Sequence, residues 1–232
     1  YADDSLKGNK DVVLAAVKQD GNALQHADDS LKKDQDVVMA AVKQDGNALQ
    51  YADDSLKGNK DVVLAAVKRH GLALYYADAT MQRDKEVVTA AVNQGGYALQ
   101  HAHDELKGDR EVVLAAVKMD GYALQHAHDE LKGDREVVLA AVKRHGMALQ
   151  YAHDSLKKDP EVVEAAVDQG GYAIQYADPA IRQEIEAIRS IQAHIKNDQE
   201  IEEAIQRLEA NVKTLKNDPE DLSEKKKKIK LY

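Results

Sequence analysis

Two pairs of residues in this chain have spacing that could do chemistry. His101 with Glu105, and His126 with Glu130, stand four apart, so on one α-helix each pair would share a face. Imidazole plus carboxylate at that spacing is half of a zinc site, and two neighbouring pairs would complete four ligands. The other copies of the same stretch argue for the plainer reading. They carry Tyr51, Tyr76 and Tyr151 at the His position, and Ser55, Thr80 and Ser155 at the Glu position. An amphipathic ring against the next layer suits both residue types, so we read these positions as packing and expect no metal and no cofactor. His103, His128 and His153 form a separate stripe that reads as solvated.

Nothing else assembles a reaction centre. There is no Cys, which excludes thiol chemistry and disulfides. The glycines stand at helix ends and form no Gly-rich run, so no phosphate-cradling loop is expected. Adjacent carboxylates such as Asp3 and Asp4 point apart on a helix and make a poor acid–base pair. The chain reads as no enzyme.

The elements that would position these side chains are set by a repeat. Gly recurs at 21, 46, 71, 96, 121, 146 and 171, a constant step of 25, and Val-Val pairs keep the same step from Val12-Val13 to Val162-Val163. Residues 1–18 are identical to 51–68, and 101–118 to 126–143. A 75-residue period overlies the shorter one: Arg69-His70-Gly71 returns as Arg144-His145-Gly146, and Gln94-Gly95-Gly96 as Gln169-Gly170-Gly171.

Each unit reads as two short helices. In the first, Asp109 is an N-cap, Glu111 lies in the first turn where the helix dipole favours an anion, and Val112, Val113, Ala116 and Val117 share one face. Asp159-Pro160-Glu161 is the same start with Pro at the first helical position. Gly121 is expected to close the helix in the left-handed conformation. The second helix is expected from about Tyr122 to Lys132, with Ala123, Leu124, Ala127 and Leu131 on one face and Gly133 ending it. Turns of two to four residues force neighbouring helices antiparallel. A 25-residue helix pair cannot bury its own apolar stripe and must stack on the next pair.

The sequence therefore predicts an all-α protein, an α-solenoid of seven 25-residue helix-pair repeats over residues 1–175. Residues 176–232 form a C-terminal helical cap. There, Ile181, Ile185, Ile188, Ile191 and Ile195, then Ile201, Ile205, Leu208, Val212 and Leu215, predict a hairpin of two amphipathic helices joined near Asn197-Asp198. Such a polar lid suits the end of a repeat array. A basic run from Lys225 to Lys228 and Lys230 follows, read as a solvated tail. Tyr1 falls inside the second helix of a unit whose first helix is absent, so the chain is read as excised from a longer protein.

Composition agrees. Of 232 residues 44% are apolar, yet the chain has no Phe and no Trp, and ten Tyr are its only aromatics. Ala, Val and Leu suit thin layers of closely packed helices. A net charge of −9 argues against general nucleic-acid binding. No apolar run approaches the roughly 18 residues of a membrane span, so a soluble, cytoplasmic protein is expected.

The run Asp109-Arg-Glu-Val-Val-Leu-Ala-Ala-Val-Lys118, then Gly121, then Ala123-Leu124-Gln125, resembles the helical repeats catalogued as domain of unknown function four-one-one-six. The resemblance covers residues 1 to about 178 and brings no catalytic residues. Where the family repeat carries Asn before the Gly, this chain has Asp20, Asp45, His70, Gly95, Asp120, His145 and Gly170.

Variation among the copies locates the expected function. The pair before each Gly changes, as in Arg69-His70, Met119-Asp120 and Arg144-His145, and so does the residue after it, as in Leu72, Tyr97, Tyr122, Met147 and Tyr172. Stacking puts these positions along one edge. We expect a non-enzymatic scaffold that binds a protein or peptide along that edge as a module of a larger protein. The alternative is a structural protein that self-associates head to tail.

Overall fold

The computed structural model describes residues 4–217. Their regular secondary structure is all helical, with no strand among them. Seven helices of ten residues mark the repeats: Lys10–Gln19, Gln35–Gln44, Lys60–Arg69, Lys85–Gln94, Arg110–Met119, Arg135–Arg144 and Pro160–Gln169. Each starts on a side-chain cap. Asp109 Oδ1 accepts from the N–H groups of Glu111 (3.0 Å) and Val112 (3.2 Å), and Asn9, Asp34, Asn59, Asp84, Asp134 and Asp159 do the same. Each long helix packs on the long helix of the next repeat, which makes an α-solenoid.

The second half of the repeat is not one helix. After the long helix come a six-residue 310-helix, Gly121–His126 in the fifth repeat, two extended residues, Ala127 (φ −72°, ψ 156°) and His128 (φ −62°, ψ 153°), and a four-residue α-helix, Asp129–Lys132. The break has a partner. The His128 N–H donates to the Lys107 carbonyl of the preceding repeat at 3.0 Å. The same rung forms from Asp28 to Lys7, Asp53 to Lys32, Asp78 to Lys57, His103 to Gln82, His153 to Lys132 and Asp178 to Lys157. A continuous helix would spend that N–H internally, so the interruption converts a helix bond into a bond between layers.

The Gly column works by close approach, not by the expected left-handed turn. Among the described residues no Gly has positive φ. The residue before it, Asp120 at φ −146° and ψ 112°, is extended and ends the long helix. A Cβ on Gly21 would meet the Ala41 carbonyl oxygen of the next repeat at 2.5 Å, and Gly46 through Gly146 face the equivalent oxygens as tightly. At Gly171 a Cβ would meet nothing.

The core is a file of small residues. Val37, Val38, Ala41, Val42, Ala48 and Leu49 have no exposure, and their 25-residue counterparts in the next four repeats are buried alike. No polar or charged described residue is buried. With no ring inside, layers sit close and each covers its neighbour.

A charged ladder runs along the start of the long helices. Lys10 Nζ reaches Asp34 (2.7 Å) and Asp36 (3.1 Å) of the next repeat, and Lys60 and Lys85 bridge the equivalent acids of theirs. Arg110 and Arg135 do so with two nitrogens, onto Asp134 with Glu136 and onto Asp159 with Glu161. The cation hydrogen-bonded to each of Asp34, Asp84, Asp134 and Asp159 holds its carboxyl below the usual carboxylate range.

The chain divides into two compact units, Tyr1–Arg182 and Gln183–Tyr232. The predicted hairpin is absent: Pro179–Asn217 is one helix of 39 residues that runs through Asn197 and Asp198. Asn and Asp cost a helix only about 0.7 kcal/mol each, whereas Pro or Gly would break it. Ile188, Ile191, Ile195, Ile201, Ile205 and Leu208 are exposed on it. The basic run at Lys225–Lys230 lies outside the described residues.

Candidate partner-binding face

The 310 segments stack on one another from repeat to repeat and make a face of their own. Their three-residue turn puts Gly46, Leu49 and Ala52 inward, all buried, and sends Asn47 and Gln50 outward together. Three columns therefore face solvent: the residue after Gly, the residue three further on, and the one after that. The third column carries a ring in every repeat: His26, Tyr51, Tyr76, His101, His126, Tyr151 and Tyr176. The middle column is Gln in all but one repeat, where Tyr75 stands.

The predicted edge separates into two groups with different work. The pair before Gly builds the seam. Arg69 Nε donates to the Gln44 carbonyl and Arg144 Nε to the Met119 carbonyl, both 3.1 Å, each reaching one repeat back. His70 Nδ1 lies 2.9 Å from Asp45 Oδ1, and His145 Nδ1 lies 3.0 Å from Asp120 Oδ1. Met119 is exposed at the end of its helix.

The residues after Gly lie on the 310 face. Leu72 is 49% and Tyr172 85% exposed. Tyr97 meets the His126 ring edge-on at 6.0 Å, and Tyr122 stacks on His145 at 4.9 Å and 18°. Met147 Sδ lies 4.0 Å from the Gln175 amide.

The two half-site pairs are not brought onto one helix. His101 ends a 310-helix and Glu105 belongs to the next short helix, with Ala102 extended between them (φ −69°, ψ 151°); Ala127 separates His126 from Glu130 in the same way. Among the described residues no three His, Asp or Glu side chains converge on a metal-sized site. His101 packs on Tyr75 at 5.0 Å. Burial pushes both the His101 and His126 imidazoles below the usual histidine range. His103 and His153 lie at the start of the short helices, where Nδ1 accepts the N–H of Glu105 and of Ser155 at 3.3 Å.

One stretch of the face is a shallow, open depression. Asn22, Asp45, Asn47, Leu72, Tyr75 and His101, with Gln50 and Tyr76, line a groove of about 460 Å³ that crosses four repeats. Burial alone would raise the Asp45 carboxyl. The Asn47 N–H at 2.9 Å, the Asn22 amide at 2.9 Å and His70 outweigh it and hold the group below the usual range. The lining has no Lys or Arg. Sequence reasoning had the first column, read Tyr76 as packing and passed over Gln50 and Tyr75. A spacing of three instead of four would have joined those two to it.

Fold and face together define an α-solenoid repeat protein with one ring-lined surface. A family model described as Domain of unknown function (DUF4116) matches residues 1–32, 34–82, 84–132 and 134–182, and the chain belongs to that family. No curated protein and no solved structure matches it.

Proposed function

We propose that this repeat array is a non-catalytic binding module that holds an extended peptide segment of a protein partner across its 310 face. The groove from Asn22 to His101 carries the reading. It offers what a peptide needs: an exposed aliphatic and aromatic anchor in Leu72 and Tyr75 (61% exposed), amides in Asn47 and Gln50, and one carboxylate in Asp45. Neither Leu72 nor Tyr75 is needed for the core, whose buried residues are Val, Ala and Leu from other columns. The repeated frame puts similar groups in every layer, which suits recognition along a line better than catalysis at a point.

The test is selection of a displayed random peptide library on the intact chain, with counter-selection on Leu72→Ser/Tyr75→Ser. Peptides that bind the parent chain and lose at least about tenfold on the variant, roughly 1.4 kcal/mol, support the reading. A selection that yields only sequences bound equally by both overturns it.

A further inference from the structure

The lining chemistry and the repeat step together narrow the class of peptide. The inference rests on the 310 face being a peptide site, and it concerns what kind of peptide that site takes. The groove is walled by rings: Tyr75 meets Tyr76 edge-on at 5.2 Å and His101 at 5.0 Å, so three rings from two adjacent repeats form one ridge. Donors stand beside the ridge in the Tyr hydroxyls and the Asn47 amide. Rings set beside hydrogen-bond donors are the pattern that receives proline-rich segments, whose carbonyls point outward with no internal partner.

The spacing agrees. Packed helices lie about 8–10 Å apart, and the small Val, Ala and Gly side chains of this seam permit that approach. Equivalent side chains on the face therefore recur at about that step. A polyproline II helix advances about 9.3 Å per three-residue turn, so one turn of ligand meets one repeat. An α-helical ligand advances about 10.8 Å in two turns and overshoots the step. A β-strand ligand needs a sheet edge, and no strand occurs among the described residues.

Charge gives the polarity of the flanks. Asp45, held by Asn22, Asn47 and His70, is the one carboxylate of the lining, and no Lys or Arg joins it there, so a cationic residue beside the prolines is favoured and an acidic one is not.

We infer that the groove between Asn22 and His101 binds a proline-rich segment in the polyproline II conformation, one turn per repeat, with a basic residue at its flank. The experiment is fluorescence polarisation of labelled oligoproline peptides on the full chain. Lengths run from about six to about fifteen residues, each with and without a terminal Arg, beside an Ala-rich helical peptide of equal length. The affinity is expected to rise by at least about twofold for each added three prolines up to about twelve residues, the reach of four repeats, and then to level. The Arg-tagged series is expected to bind more tightly.

Two variants fix the location. Tyr75→Ala removes an exposed ring from the ridge. Asn47→Tyr installs the residue that the chain itself carries at the equivalent Tyr122, and fills the groove. Both are expected to lose at least about tenfold affinity while keeping the parent's circular dichroism and a cooperative melting transition. Oligoprolines that fail to bind, that bind no better than the helical peptide, or that bind both variants as well as the parent overturn the inference. If library peptides without proline still depend on Tyr75, the broader reading stands and this one falls.

Discussion

The 75-residue period lets the molecule be compared with itself. The groove residues Asn22, Asp45, Asn47, Leu72, Tyr75 and His101 correspond, 75 positions on, to Tyr97, Asp120, Tyr122, Met147, Gln150 and Tyr176. The frame under both is the same: Val37, Val38, Ala41 and Val42 in one, Val112, Val113, Ala116 and Val117 in the other, all buried. The faces differ. In the first block the Asn22 amide donates to Asp45 Oδ2 and leaves a hollow between rings. In the second, Tyr97 and Tyr122 stand in place of the two Asn and turn onto His126 and His145. Burial first, then the Tyr97, Tyr122 and Tyr176 hydroxyls, push the Tyr151 hydroxyl above its usual range. One fold, copied, thus carries an open surface and a ring-filled one, and only outward-facing columns decide which.

If the frame is common, damage to it must be equal in the two blocks. Gly46→Ala and Gly121→Ala each press a Cβ onto the carbonyl oxygen of the next repeat, Ala66 and Ala141. Each is expected to lose about 2–3 kcal/mol by urea denaturation, whereas Gly171→Ala, whose Cβ meets nothing, changes stability little. Unequal losses at 46 and 121 would break the comparison.

A smaller effect separates the faces. Tyr122→Asn gives the second block the residue of the first and removes the stack on His145, at an expected cost of about 0.5–1.5 kcal/mol. The same exchange at the exposed Leu72, Leu72→Asn, is expected to leave the melting temperature unchanged within a degree or so.

Smaller still is the ladder. Arg110→Ala is expected to lower the melting temperature only slightly, because the pair is exposed and salt screens it. Raising ionic strength shrinks the difference, and Lys85→Ala, a one-nitrogen bridge, loses less.

The last effect is read in pH. His101 and His126 have depressed basicity in the folded state, so the unfolded chain binds more protons in the window below about pH 6.5. Their contribution is fully present above that value and is lost as pH falls toward the folded pKa. The melting temperature is expected to drop between pH 7 and pH 5, and His101→Tyr/His126→Tyr, which installs the ring of the other repeats, flattens the slope. The ladder carboxylates, also depressed, act in a lower window: their stabilisation holds above about pH 3.9 and fades as acid protonates them.

The long helix was legible because its signals are local. Asp109, Glu111 and the Val112-Val113-Ala116-Val117 stripe are all contained in one segment, and the cap forms as the residues dictate. The break at Ala127 was not, because its cause is a carbonyl in another repeat; the Asp28, Asp53 and Asp78 column, residues that favour a helix start, was the available sign. The Gly column was read from its usual local role, while its real constraint is an oxygen about twenty residues away in sequence. Asn197-Asp198 looked like a turn and is a mid-helix pair. The face was half legible for the same reason. A four-residue spacing joined His101 to Glu105, whereas the 310 turn joins Asn47 to Gln50.

The rung from each short-helix start to the preceding Lys or Gln carbonyl has a bearing on ancestry. Because every joint is made by backbone atoms at a fixed offset of 21 residues, splicing in or dropping 25 or 75 residues regenerates a joint the molecule already has. Unequal exchange between stretches as alike as 1–18 and 51–68 then yields viable products at once, and the number of layers becomes a heritable quantity that drifts by whole steps.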